Sequence, residues 1–138
     1  MATFVTTVGL RWTDQDAYRH VNHARAVTLL EEARIAMFFD AAAAEGVGGF
    51  ATGLLVADLG VRYRRQIAYR SQPLCVVMWV DDVRAASFRI SYELHDGVDR
   101  SYPVAVTAHT TMAIYDLAAQ RPRRLVSDEK AWLQRWSG

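Results

Sequence analysis

Apolar and polar residues recur along this chain with two different periods, and the change of period divides it into a helical first part and a stranded second part. The opening segment, from Thr3 to about Trp12, is rich in β-branched and aromatic residues that suit a strand. After a short polar stretch, "ARAVTLLEEARIAMFFDAAAAEG" predicts a helix of five or six turns, with Asn22 as its N-cap and Gly46 as its stop. Ala26, Leu30, Ala33 and Met37 mark one face of that helix, and Leu29, Ala36 and Phe38 widen it. Between Ile35 and Phe39 the helix is apolar nearly all round, which predicts burial on more than one side.

The period then becomes two. Leu55, Ala57, Leu59, Val61 and Tyr63 alternate with Val56, Asp58, Gly60, Arg62 and Arg64, the pattern of a half-buried strand. "LCVVMWV" reads as a more fully buried one. Phe88, Ile90, Tyr92 and Leu94 alternate against Ser87, Arg89, Ser91 and Glu93, and "HDGVDR" supplies a turn around Asp-Gly. A last strand runs from about Val104 to Tyr115, and "SDEKAWLQRW" predicts a short helix capped by Ser127. Strands that follow one another through short turns pair antiparallel. The expected architecture is therefore α+β, with one long helix wrapped by a curved antiparallel sheet and a short C-terminal helix.

Size and composition narrow the function. The 138 residues make one domain, residues 1–138, large enough to bury a core without disulfides or metal. A formal net charge of +1, with no Lys/Arg-rich block, gives no footprint for nucleic acid. Lys130 is the only lysine, so the positive charge is carried almost wholly by arginine, which grips carboxylates and phosphates bidentately. One cysteine, Cys75, excludes an intrachain disulfide and any CxxC motif, and its apolar surroundings predict a buried strand thiol. No stretch approaches the roughly 18 apolar residues of a membrane span, and the N-terminus lacks the look of a signal peptide. The expectation is a cytoplasmic protein without membrane insertion.

The chemistry concentrates in "DQDAYRHVNHA", residues 14 to 24, at the entrance of the long helix. Asp14, Asp16, His20 and His23 could be imagined as metal ligands, but no HExxH, cysteine pair or further cluster joins them, and His95 and His109 fall in separate strands. No GxSxG or glycine-rich phosphate loop is present. Read from spacing alone, Asp16 is a catalytic carboxylate or a pre-helix turn residue, Asp14 an acceptor for turn amides, and His20 a packing or hydrogen-bonding residue. Asn22 is first an N-cap and then a substrate contact.

"DQDAYRHVNHARAVTLLEEAR" resembles the start of the hotdog-fold acyl-CoA thioesterases of the 4-hydroxybenzoyl-CoA thioesterase-like group, in its Asp-x-Asp, its Val-Asn-His and its Glu-Ala-Arg on the helix. "VRYRRQIAYRSQPLCVVMWV" is similar to the group's second and third strands, so the likeness extends along most of the chain. The chain departs from the pattern in four places. Arg19 stands where glycine is usual, Ser71-Gln72 replaces Gly-Asp, Asn22-His23 mixes two common variants, and Trp12 takes the place of a tyrosine some members carry.

The resemblance implies a hotdog fold with a five-stranded sheet, a homodimer or homotetramer whose sheets join edge to edge, and hydrolysis of an acyl-CoA thioester without metal or organic cofactor. It implies Asp16 as nucleophile or general base and a polarising role for His23. A helix N-terminus offers unpaired N–H groups and the positive end of the helix dipole, so the amide of His23 or Ala24 can meet the thioester oxygen. Arg62, Arg64, Arg65 and Arg70 form a solvated face or a cradle for the phosphates of coenzyme A, with Arg84 a further candidate. Glu31 and Arg34 pair at i, i+3 or, with Glu32, shape an acyl pocket. Phe38, Phe39, Trp79 and Phe88 are expected in the core. Two rivals remain, a hotdog dehydratase or hydratase and a non-catalytic acyl-CoA binding protein. The second draws on Arg19: an arginine in the acyl or thioester site would make a poor hydrolase that Arg19→Gly activates, whereas with negative φ there Arg19→Gly would cost roughly 0.5–1 kcal/mol of chain entropy and leave activity within a few-fold.

Overall fold

The computed structural model describes residues 2–137. Strand β1 (Phe4–Val8) is followed by a 3-10 turn, Trp12–Asp14, so the first strand ends before the expected Trp12. The long helix, α1, covers residues 23–44, and Asn22 caps it by accepting the Ala24 N–H at 2.9 Å. Gly46, at φ 86°, carries the chain out of the helix in the left-handed conformation that glycine adopts without penalty. Four long or medium strands follow: β2 (Leu54–Tyr63), β3 (Leu74–Asp81), β4 (Ser87–His95) and β5 (Val104–Asp116). All pairings are antiparallel, in the spatial order β1-β3-β4-β5-β2. A two-residue strand, β6 (Arg121–Pro122), pairs with the end of β5, an addition to the five expected strands. The chain closes with helix α2 (Ser127–Arg135).

The sheet curls around α1, as the alternating pattern and the resemblance both imply. From the helix, Ala26, Leu29, Leu30, Ala33, Met37 and Phe38 are buried against Val76, Met78 and Val80 of β3, Phe88, Ile90 and Leu94 of β4, and Met112 and Ile114 of β5. Each large side chain removed from water in this way contributes roughly 1.5–3 kcal/mol. Between Ala36 and Ala41 the helix widens into a π turn. There the consecutive residues Met37 and Phe38 are both buried, because the sheet covers one side and α2 another. Phe38 meets Phe50, Phe88 and Trp132 with ring centroids 5.2, 5.3 and 5.4 Å apart. Phe39 turns to solvent, however, and Trp79 sits half-buried on the outer face of β3, so neither is a core residue.

Two more expectations are corrected. Ser127 is the first residue of α2; the cap position is Val126, whose N–H donates to Glu129 Oε1 at 2.9 Å. Glu129 is itself buried, and its two oxygens accept from Arg123 Nη1 and Nη2 at 2.8 and 2.7 Å. Gly49 lies so close that a Cβ there would stand 2.2 Å from Glu129 Oε2, which explains the glycine. The second correction is β2. Its alternation predicts one buried face, yet Leu55, Val56, Leu59 and Tyr63 are each more than two-fifths exposed. The reason is position: among the described residues β2 is an edge strand hydrogen-bonded only to β5, with no strand on its other side.

Candidate active site

The polar stretch folds into a compact loop against the start of α1. Asp14 is buried, and its carboxylate accepts the Arg11 N–H at 2.8 Å while its carbonyl accepts the Asn22 N–H at 2.9 Å. It holds the loop, as expected of the first acid. Residues Asp16 to His20 form a turn closed from both ends: Asp16 N–H donates to the His20 carbonyl at 2.9 Å, and Arg19 N–H to the Asp16 carbonyl at 3.1 Å. Within it, Asp16 Oδ1 accepts the N–H groups of Tyr18 at 2.8 Å and His20 at 3.4 Å. Oδ2 has no partner among the described residues. The turn thus orients the carboxylate through one oxygen and leaves the other available.

Arg19 has φ 64°, in the left-handed region. The turn keeps the conformation that suits glycine and an arginine occupies it, at a cost of about 1–2 kcal/mol. The side chain is exposed, and it does not line the cleft described next.

A cleft of ≈ 400 Å³ opens between this loop, the first turn of α1, and the chain leaving β2. Asp16, His20 and His23 line it from one side, and Tyr63, Arg64 and Arg65 from the other. Residues far apart in the sequence, such as His20 and Tyr63, are brought face to face here. The backbone carries the loop into place: Val21 N–H donates to the Ile67 carbonyl at 2.7 Å, and His20 bridges to Ala68. His20 Nδ1 is buried without a protein partner among the described residues.

The helix start is equally specific. Ala24 N–H is occupied by Asn22 Oδ1, whereas the N–H of His23 has no acceptor among the described residues. Of the two amides considered from sequence, His23's is the free one, and Asn22 acts as the cap. Tyr63, missed in the sequence reading, donates its hydroxyl to the His23 carbonyl at 2.8 Å and stands edge-on to the imidazole, 6.3 Å between ring centroids. Partial burial pushes its phenol pKa up, which keeps the hydroxyl a donor. Nothing local could have revealed it, since a tyrosine closing a strand reads as one more apolar position.

The arginines divide. Arg64 and Arg65 are in the cleft; Arg65 Nε also lies 3.3 Å from Asp96 Oδ2. Arg70 is committed to Asp96, donating to its carbonyl at 2.8 Å and to its carboxylate. Arg62 projects to the convex face of the sheet beside Trp79, Arg89 and His109, away from the cleft, because alternation along a strand sends successive side chains to opposite faces. Arg84 pairs with Asp82 at 3.1 Å, well outside the site. Among the described residues no three His, Cys, Asp or Glu side chains gather as a metal-binding group.

Solved structures share this architecture. A predicted thioesterase from Bacillus stearothermophilus superposes with a TM-score of 0.81 at 19% identity, covering 99% of this chain and 98% of its own. A DHNA-CoA thioesterase from Staphylococcus aureus gives 0.78 at 20% identity, covering 99% of this chain and 89% of its own. A thioesterase from Thermus thermophilus, solved with coenzyme A and Zn, gives 0.76 at 21% identity, covering 97% of this chain and 94% of its own. At these identities the likeness establishes the hotdog fold. No curated protein sequence matches the chain. The profile of the Thioesterase-like superfamily matches residues 10–136, which takes in the polar loop, α1 and every strand after it. The chain belongs to the Thioesterase-like superfamily and is, by that membership, a thioester hydrolase.

Proposed function

We propose that the protein hydrolyses an acyl-CoA thioester to a free acid and coenzyme A, with Asp16 as the reacting carboxylate. The observation that carries this reading is the cleft lined together by Asp16, whose Oδ2 is free, by His23, whose N–H is open, and by Arg64 and Arg65. With the thioester carbonyl oxygen at the His23 N–H, the helix dipole and the amide both favour the negative charge that develops there. One donor of this kind contributes about 3 kcal/mol to lowering the barrier.

Two routes use the same geometry. As general base, Asp16 takes a proton from water, the resulting hydroxide adds to the carbonyl carbon, and the tetrahedral intermediate collapses with loss of the coenzyme A thiolate. As nucleophile, Asp16 adds directly, expels the thiolate and forms a mixed anhydride that water then cleaves. In both, the thiolate leaves readily and no strong general acid is needed. His23 flanks the reacting carbonyl and Tyr63 fixes the helix end by holding the His23 carbonyl. Arg64, which has no acidic partner among the described residues, and Arg65 are placed at the rim for the phosphates of coenzyme A.

The reading also calls for a second copy of the chain. The exposed apolar side chains of β2 lie on an edge whose backbone groups are unpaired, and pairing with another β2 would cover both. A homodimer, or a homotetramer built from it, is the expected state. Arg19, the feature favouring a non-catalytic binder, lies outside the cleft and leaves the carboxylate accessible.

Asp16→Asn tests the assignment. Asn keeps the turn acceptor but cannot act as base or anion, so thiol release from acyl-CoA should fall at least ~100-fold with little change in melting temperature. Undiminished release would remove Asp16 from the mechanism. In a single turnover in ¹⁸O-water, label in the Asp16 carboxylate identifies the nucleophilic route, in which water has cleaved the anhydride at the Asp16 carbonyl.

A further inference from the structure

Beyond the cleft, a second cavity of ≈ 260 Å³ lies between the same helix and the same pair of strands. Val27, Val56 and Leu59 make its apolar wall, and Glu31, Arg34 and Thr110 its polar end. The cleft is bounded by Ala26, Tyr63 and Val106, so the cavity is the next stretch of the space between α1, β2 and β5. Val27 is four residues and Arg34 eleven residues beyond His23, about 6 and 16 Å at the helical rise. A chain attached to a carbonyl at His23 would run into it.

The polar end is unusual in one respect. Arg34 Nη1 donates to Tyr92 Oη at 3.3 Å, and Tyr92 Oη and Thr110 Oγ1 are 2.7 Å apart, all beneath the sheet. Tyr92 and Thr110 are 1% and 2% exposed. Two hydroxyls carry two hydrogens and share a single hydrogen bond, so one hydrogen is left without an acceptor among the described residues. A guanidinium can only donate, so the tyrosine oxygen accepts from Arg34, and either hydroxyl can be the donor in the bond between Tyr92 and Thr110. Where Tyr92 donates in that bond, the hydrogen left over is the Thr110 hydroxyl's, on the residue that lines the cavity. Burial raises the Tyr92 pKa and keeps this chain protonated. The Arg34 side chain is only 14% exposed, and its one acidic partner among the described residues is the exposed Glu31 at 3.5 Å. The end of the cavity therefore presents a spare hydroxyl hydrogen and a guanidinium whose charge is shared with the exposed Glu31, and an unfilled buried donor is costly unless a ligand supplies the acceptor.

We propose that this cavity receives the far part of the acyl group, and that Arg34, Tyr92 and Thr110 select acyl groups bearing an oxygen acceptor, a hydroxyl or a carboxylate, over plain hydrocarbon chains. The inference rests on the acyl-CoA hydrolase reading above and adds the class of substrate to it.

The test compares thiol release from octanoyl-CoA, ω-hydroxyoctanoyl-CoA and suberoyl-CoA, three thioesters matched in length. The native protein should show kcat/KM at least about 10-fold higher for the two oxygenated substrates, the scale of one hydrogen bond to or from a charged group. Thr110→Val and Arg34→Met should each reduce the ratio of kcat/KM for the oxygenated substrates over octanoyl-CoA. Thr110→Ser, which keeps the hydroxyl, should retain it and guards against loss through misfolding. Equal or faster hydrolysis of octanoyl-CoA by the native protein overturns the inference and leaves the hydrolase standing. So does a preference that survives both Thr110→Val and Arg34→Met. No release from any of the three, or from acetyl-CoA, overturns the hydrolase reading itself.

Discussion

Replacing Arg19 by glycine should stabilise the protein, the reverse of what a negative φ at this position would give. Arg19 has φ 64°, and an L-residue held there costs about 1–2 kcal/mol in the folded state. Glycine removes that cost but gives back roughly 0.4–1 kcal/mol through the greater freedom of its unfolded chain. The exposed arginine side chain makes no hydrogen bond or ion pair among the described residues, so no contact is lost. The balance is a net gain of about 0.5–1 kcal/mol, a rise in melting temperature of about 2–4 °C for a chain of this size. Arg19→Asn should fall between the two, since asparagine tolerates the left-handed region better than most residues. Arg19→Val should lower the melting temperature, because a β-branched side chain is disfavoured there. Thermal melts of the four proteins at one concentration measure the series. A melting temperature lowered by glycine would refute the reasoning, for it would mean that the turn from Asp16 to His20 does not require the left-handed conformation. The same proteins assayed on one acyl-CoA should differ by no more than a few-fold, as the side chain lies outside the cleft. A large gain in activity with glycine would show that Arg19 obstructs the site instead.

The arginines make a graded set. Arg64→Ala and Arg65→Ala should raise KM for acyl-CoA with little change in kcat, because phosphate contacts are the same in ground and transition states, and the effect should shrink as salt is added. Arg62→Ala, on the convex face, should leave both constants unchanged; a KM effect equal to that of Arg64→Ala would mean that the coenzyme reaches across the sheet edge. Glu129 should set much of the acid limit of stability. Desolvation acts to raise its pKa, but the paired Arg123 and the Val126 N–H together outweigh it, so the folded-state pKa lies below the ordinary carboxylate value. A depressed folded pKa contributes stability that is present above the unfolded pKa and lost as pH falls through the folded one. Arg123→Met, which leaves a buried carboxylate without its cation, should cost about 3 kcal/mol at neutral pH, and the loss should narrow on acidification as Glu129 protonates. Equal destabilisation at all pH values, followed by denaturant unfolding, would show that the pair contributes through packing alone.

Local patterns in the chain determined a good deal. Asn22 and Gly46 bound the helix because a side-chain acceptor and a residue free to take positive φ are needed at its two ends, and both needs are met by single residues. The order of helix and antiparallel strands followed from the change of period, and the eleven residues from Asp14 to Ala24 contained the acid, the cap and the free amide of the proposed site. What the sequence left open depends on which partner lies opposite. Whether an alternating strand is covered or bare is a matter of its place in the sheet, and β2 is bare because it is an edge. Four arginines close in sequence look equivalent, yet alternation sends Arg62 to the convex face, Asp96 holds Arg70, and only Arg64 and Arg65 reach the cleft. Tyr63 became a site residue through a carbonyl 40 positions away, and Tyr92 reached Arg34 across 58. Interactions over such separations are set by how the sheet curls around the helix, and no local period or propensity encodes that closure.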